Sequence, residues 1–196
     1  RAVQVRPGDL GARFHTDYIQ LTIHDADTAT LAYIAALIDA RQYQDAHDRL
    51  RTPGASPAAA YIRAVLYSRT QRWPDVLGAV SGCAGWMNVD LGRAGAMMEA
   101  NAAANLKLLD RALAAANRAA LDGHITDDIT RDAVFCRALV LRHNGDHDAA
   151  QTLLTEIGVP WPDFADAPAA LADPTYGLRF TDSATIATRT DYWHAA

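Results

Sequence analysis

At 196 residues, half of them hydrophobic and 21% charged, the chain has the composition of a folded domain with a core of its own. Its net charge of −5 argues against a nucleic-acid or anionic-membrane surface, each of which needs a basic stripe. Lys107 is the only lysine, and no apolar run approaches the roughly 20 residues that span a bilayer, so neither a nucleic acid nor a transmembrane segment is expected.

Residues 1–25 read as an extended or β segment. Val3 and Val5 alternate with polar residues, Pro7-Gly8-Asp9 signals a turn, and Phe14 to Ile23 carries Tyr18, Ile19, Leu21 and Ile23. From residue 26 to 158 the pattern becomes helical and repeats itself. Four segments align: Arg41-Gln42-Tyr43-Gln44-Asp45-Ala46, Gln71-Arg72-Trp73-Pro74-Asp75-Val76, Lys107-Leu108-Leu109-Asp110-Arg111-Ala112 and Gly145-Asp146-His147-Asp148-Ala149-Ala150. In each, a bulky residue is followed three positions on by a small one, and four further on by Leu50, Val80, Ala116 or Leu154. Nine residues before the bulky position stand Ile34, Ala64, Ala100 and Ala138. The bulky positions are 30, 36 and 38 residues apart, close to the tetratricopeptide period of about 34.

That pattern has a mechanical meaning. Antiparallel helices approach closely only where small side chains face each other, and each pair leaves an apolar face for the next pair to cover. Ser56-Pro57, Thr126-Asp127-Asp128 and Asp146 supply helix starts, while Gly54, Gly82, Gly123 and Gly158 punctuate ends. The expected architecture is all-α: a tetratricopeptide-like right-handed superhelix of about four antiparallel helix pairs, with short β segments near the N-terminus. Four unrelated amphipathic hairpins are the bland alternative.

Residues 159–196 read as an extended tail. Val159-Pro160-Trp161-Pro162-Asp163 is stiff, and Ala167 to Ala172 makes a turn or two of helix before Asp173-Pro174. Beyond it, Tyr176 to Phe180 and Ala184 to Thr188 form either a small hairpin or a strand followed by a short helix.

Catalytic signals are absent from the sequence. It holds no GxxxxGK[ST], HExxH, GxSxG or GxGxxG, so no catalytic, cofactor-binding or metal residue is assigned. His143 and His147 are four apart, but Asn144-Gly145 breaks the helix between them, which leaves surface or packing histidines. Asp127-Asp128 and Asp163-Asp166 read as caps and solvated loop carboxylates. Cys83 and Cys136 lack CxxC spacing and read as buried reduced thiols. Trp73 and Trp86 read as core or repeat-interface anchors, and Trp161 and Trp193 as the same or as marks of a docking surface.

The inner face of such a stack is lined by the first helix of each pair. Counting back from the bulky positions gives a candidate partner-binding set: Tyr61, Arg69, Met97, Asn101, Asn105, Arg142 and His143. Amide and forked guanidinium donors there suit a peptide backbone or a carboxylate. A merely solvated groove is the alternative.

Three stretches carry a family resemblance. Gln71 to Val76, Ala102-Ala103-Ala104-Asn105-Leu106, and the tail Leu171-Ala172-Asp173-Pro174-Thr175-Tyr176 through Ile186-Ala187-Thr188-Arg189-Thr190-Asp191-Tyr192-Trp193 resemble the N-terminal domain of EccA proteins. Those are AAA+ ATPases of the CbxX/CfqX kind, in mycobacterial type VII (ESX) secretion. The resemblance covers about Gly11 to Trp193, and Tyr192 stands where family members usually carry proline. It implies a cytoplasmic domain that recognises secreted ESX proteins or their chaperones, joined to a C-terminal ATPase module. That module would bind ATP and magnesium and assemble as a hexamer; this piece, which begins at Arg1, would be monomeric and without cofactor. The family's β-finger implies β structure in Arg1–Ile23 or in Tyr176–Thr188. A freestanding tetratricopeptide regulator that binds a peptide is the alternative, distinguished by what the reading frame encodes beyond Ala196; a metal-dependent enzyme would need stoichiometric metal.

Overall fold

The segment that carries Phe14, Ile19 and Leu21 folds as a hairpin. Strand β1 (Arg13–His15) pairs antiparallel with β2 (Gln20–Thr22), Phe14 standing opposite Leu21. The Thr16 N–H donates to the Ile19 carbonyl at 2.9 Å and closes the turn, and Ile19 is the hairpin's buried side chain. Helix begins at Asp25. Its carboxylate accepts from the Thr28 N–H at 2.8 Å, and the Thr28 hydroxyl accepts from the Asp25 N–H at 3.0 Å, a reciprocal capping box. The computed structural model describes residues 10–51, 56–121 and 127–158. The readings made for Val3, Val5 and Pro7-Gly8-Asp9, for the 159–196 tail, and for Gly54, Gly123 and Thr126 lie outside them.

Helices then follow in pairs: α1 (Ala26–Asp39) with α2 (Tyr43–Arg49), α3 (Pro57–Arg69) with α4 (Trp73–Ala79), α5 (Val89–Asn105) with α6 (Leu109–Ala120), and α7 (Asp128–His143) with α8 (His147–Gly158). A 3-10 turn, Cys83–Gly85, precedes α5. The same turn joins the two helices of every pair. Arg41, Gln71, Lys107 and Gly145 stand at φ 59°, 60°, 59° and 87°, each two residues before the bulky position. The N–H of each donates to the carbonyl three residues back, at Ile38, Ser68, Ala104 and Arg142. The following N–H reaches five back, to Leu37, Tyr67, Ala103 and Leu141, at 2.8 to 3.0 Å. These are four Schellman motifs in the same register.

Burial follows the aligned positions as closely. Ala46, Val76, Ala112 and Ala150 are buried, as are Leu50, Val80, Ala116 and Leu154, and Ile34, Ala64, Ala100 and Ala138 on the first helices. Small residues at the crossings thus face inward, as close helix approach requires. The fold is tetratricopeptide-like. Ser56 caps α3 by accepting from the Ala59 N–H at 3.1 Å, with Pro57 in its first turn. Asp127 caps α7 through the Thr130 N–H at 2.8 Å, and Asp146 caps α8 through the Ala149 N–H at 3.2 Å.

The chain divides into two compact units, residues 1–98 and 99–196, and the boundary falls inside α5. In the first unit α1 packs on α2 and α3, and α3 on α4. The Trp86 indole lies over Gly95 of α5, where a Cβ would come within 2.8 Å of the ring and 2.7 Å of the Cys83 Cβ. In the second unit α6 packs on α7 and α7 on α8, around Val134, Ala138, Leu139, Ala150, Leu154 and Ile157. Glu99 of α5 accepts from Arg111 Nε at 2.8 Å and from Arg118 Nη2 at 2.5 Å, tying α6 to the end of α5. Cys83 and Cys136 are buried thiols with no disulfide between them. Burial, aided by the Asp132 carboxylate, pushes the Cys136 thiol up to about 12. Among the described residues no helix is long and apolar enough to cross a membrane.

Candidate functional site

The structure sorts the candidate groove residues by burial, and two of them leave the set. Tyr61 and Met97 are 0% and 1% exposed. Both sit twelve residues before a bulky position, where α1 has the equally buried Leu31 and α7 has Phe135, packed against the second unit's core. In a stack, the first helix of a pair touches both its own partner and the neighbouring pairs. Its apolar face is therefore wider than one stripe, and this register belongs to the core rather than to the groove.

Arg69 is part-buried and already engaged. Its Nη2 meets the Asp17 carboxylate of the hairpin turn at 2.6 Å, with the two side chains 23% and 16% exposed. The Tyr61 hydroxyl lies against the same turn, beside Thr16, Asp17 and Tyr18. Burial first, and the Asp17 charge second, push that phenol well above its ordinary value, so it stays protonated.

In the second unit the candidates are more open. Asn101 and Asn105 are half-buried on the last turns of α5, where Asn105 Nδ2 donates to the Asn101 carbonyl at 2.8 Å. The Asn105 Oδ1 is enclosed and has no hydrogen-bond partner among the described residues. Arg142 is half-buried and His143 exposed, both in the last turn of α7, where a cation complements the helix dipole. His147 opens the next helix beyond Gly145 and shares no face with His143. Among the described residues no group of three or more histidine, cysteine or acidic side chains is placed to hold a metal.

Two tyrosine–arginine stacks, one on an exposed and one on a half-buried ring, escaped the sequence reading. Tyr33 of α1 is 41% exposed, with the Arg49 guanidinium over its ring at 4.7 Å. Tyr67 of α3 carries Arg72 at the same distance. Arg49 ends the second helix of its pair and Arg72 directly precedes the second helix of the next, so the signal is a tyrosine on a first helix and an arginine at or beside its partner helix. Such stacks contribute about 0.5–1 kcal/mol at exposed sites.

Relatives place this fold. The family model for the N-terminal domain of the type VII secretion protein EccA1 of ESX-1 matches residues 1–196. The ESX-5 secretion system protein EccA5 of Mycobacterium tuberculosis is 34% identical over 181 residues, 90% of this chain and 30% of the relative. The ESX-1 protein EccA1 of Mycobacterium leprae is 33% identical over 152 residues, 76% of this chain and 26% of the relative. The crystal structure of the N-terminal domain of the EccA1 ATPase from the ESX-1 secretion system of Mycobacterium tuberculosis superposes with a TM-score of 0.68 at 26% identity, covering 85% of this chain and 62% of that one. The chain thus spans about a third or less of the length of these curated relatives. By sequence and by fold it belongs to the EccA family of type VII secretion proteins, whose N-terminal domain it represents.

Proposed function

We propose that this domain recognises partner proteins, either secreted ESX substrates or their chaperones, for a type VII secretion ATPase. One observation carries the reading. The aligned positions inside the stack keep small or apolar residues, whereas the last residue of each first helix is Asp39, Arg69, Asn105 or His143. The scaffold holds constant what packs and varies what it presents, which is how a repeat array distinguishes ligands. Amide and cationic groups at such positions suit an extended peptide or a carboxylate.

ATP and magnesium belong, on this proposal, to a C-terminal module that assembles as a hexamer in the cytoplasm, and this domain is a monomer that delivers the partner to it. The name of the crystallised relative, an ATPase, supports that division of labour.

The double variant Asn101→Ala with Arg142→Ala tests the groove. Affinity for a secreted ESX protein captured by the native chain should fall at least about tenfold, as expected when two charge-assisted or amide contacts are removed. An unchanged Kd, with helix content intact by circular dichroism, would remove the groove from the interaction.

A further inference from the structure

We infer that the β1–β2 hairpin is a displaceable cover on α3, with Asp17 standing in for the carboxylate of an acidic partner segment at Arg69. The inference rests on the recognition reading and concerns how one part of that surface is regulated.

Three observations lead to it. First, α3 is complete without the hairpin: Ser56 caps its start and the Schellman turn at Gln71 closes its end. Second, the hairpin is small. Two strands of three residues are marginal in water, and Ile19 is its one buried hydrophobic side chain among the described residues. Its turn is held to α3 by the 2.6 Å Asp17–Arg69 ion pair, between residues 52 apart, and lies beside the buried Tyr61 hydroxyl, which makes no hydrogen bond among the described residues. Third, Arg69 occupies the terminal register of the first helix, which in the other pairs carries Asp39, Asn105 and His143. In the second pair alone, on the described residues, an ion pair from the chain's own N-terminal segment engages that register. A guanidinium that already grips one carboxylate in a part-buried setting is built to grip another.

A partner segment ending in, or bearing, a carboxylate would compete with Asp17 for Arg69 and lift the turn from Tyr61. No covalent step is involved; the exchange is one ion pair for another at Arg69, and the partner shifts the closed and open states by its differential affinity for them.

Hydrogen exchange and a peptide titration on the full 196-residue chain test this. In Asp17→Ala, and more weakly in Asp17→Asn, the hairpin amides of Gly11, Thr16 and Ile23 should exchange at least about tenfold faster, while the amides of α3 and α4 keep their protection. An acetylated peptide of four alanines ending in aspartate should bind Asp17→Ala at least about fivefold more tightly than the native chain, and Arg69→Ala should abolish that binding. Unchanged hairpin exchange would show that Asp17 is no latch. Faster exchange without tighter peptide binding would show that the hairpin covers nothing. Loss of protection throughout α3 and α4 would make the hairpin an integral part of the fold and overturn the inference as well. None of these failures touches the Asn101 and Arg142 test, so the two readings can fall separately.

Discussion

A side chain held near φ +60° carries a penalty that glycine does not, and this chain accepts it at three of its four pair turns, and again at Leu121. Arg41, Gln71 and Lys107 occupy the left-handed turn position that Gly145 fills in the fourth pair. Left-handed backbone costs an L-residue about 1–2 kcal/mol, against which glycine's larger entropy in the unfolded chain sets about 0.5–1 kcal/mol. Gln71→Gly should therefore stabilise the chain by about 0.5 kcal/mol, and Gly145→Ala should destabilise it by about 1 kcal/mol or more. Urea melts of the two variants check both signs. A Gly145→Ala variant as stable as the parent would mean that the fourth turn relaxes to another conformation. Three of these four positions carry no sequence mark of their conformation, since arginine, glutamine and lysine give no hint of positive φ. Only the aligned register and Gly145 disclose it.

At the scale of elements, legibility depended on whether a residue faces one neighbour or several. Ala46, Ala64, Ala100, Ala112, Ala138 and Ala150 meet the closest helix crossings, where only small side chains fit, so their spacing alone placed them inside. Tyr61 is covered by the hairpin turn and Met97 is buried as fully, and a helical wheel drawn for one helix pair cannot show a neighbour from outside that pair. Gly95 is a similar case. A glycine in the middle of a helix looks like a weakness, yet its missing Cβ is what admits Trp86 and Cys83. Gly95→Ala gains about 1 kcal/mol of helix propensity and meets an overpacking cost of about 1–3 kcal/mol, because both neighbours lie within 3 Å of the new atom. The expected result is a lower Tm, with a shift in tryptophan fluorescence as the indole moves. A higher Tm would show that Trp86 yields freely.

For the whole molecule, the two thiols offer one reporter in each unit. Cys83 lies in residues 1–98 and Cys136 in residues 99–196, and both are 2% exposed. Only a thiolate reacts with a disulfide reagent, and at neutral pH Cys136, pushed up to about 12, presents almost none while it stays buried. Labelling therefore reports opening of the unit that holds the thiol. The boundary between the units runs through the continuous helix α5, so both units contain part of one helix, and unwinding it would reach both. The Cys83→Ser and Cys136→Ser variants, each with one reporter, should accordingly show labelling midpoints within a few tenths of a molar urea, after correction for each variant's own stability. Midpoints a full molar apart would mean that α5 breaks at Met98–Glu99 and that two independent folding units share this chain.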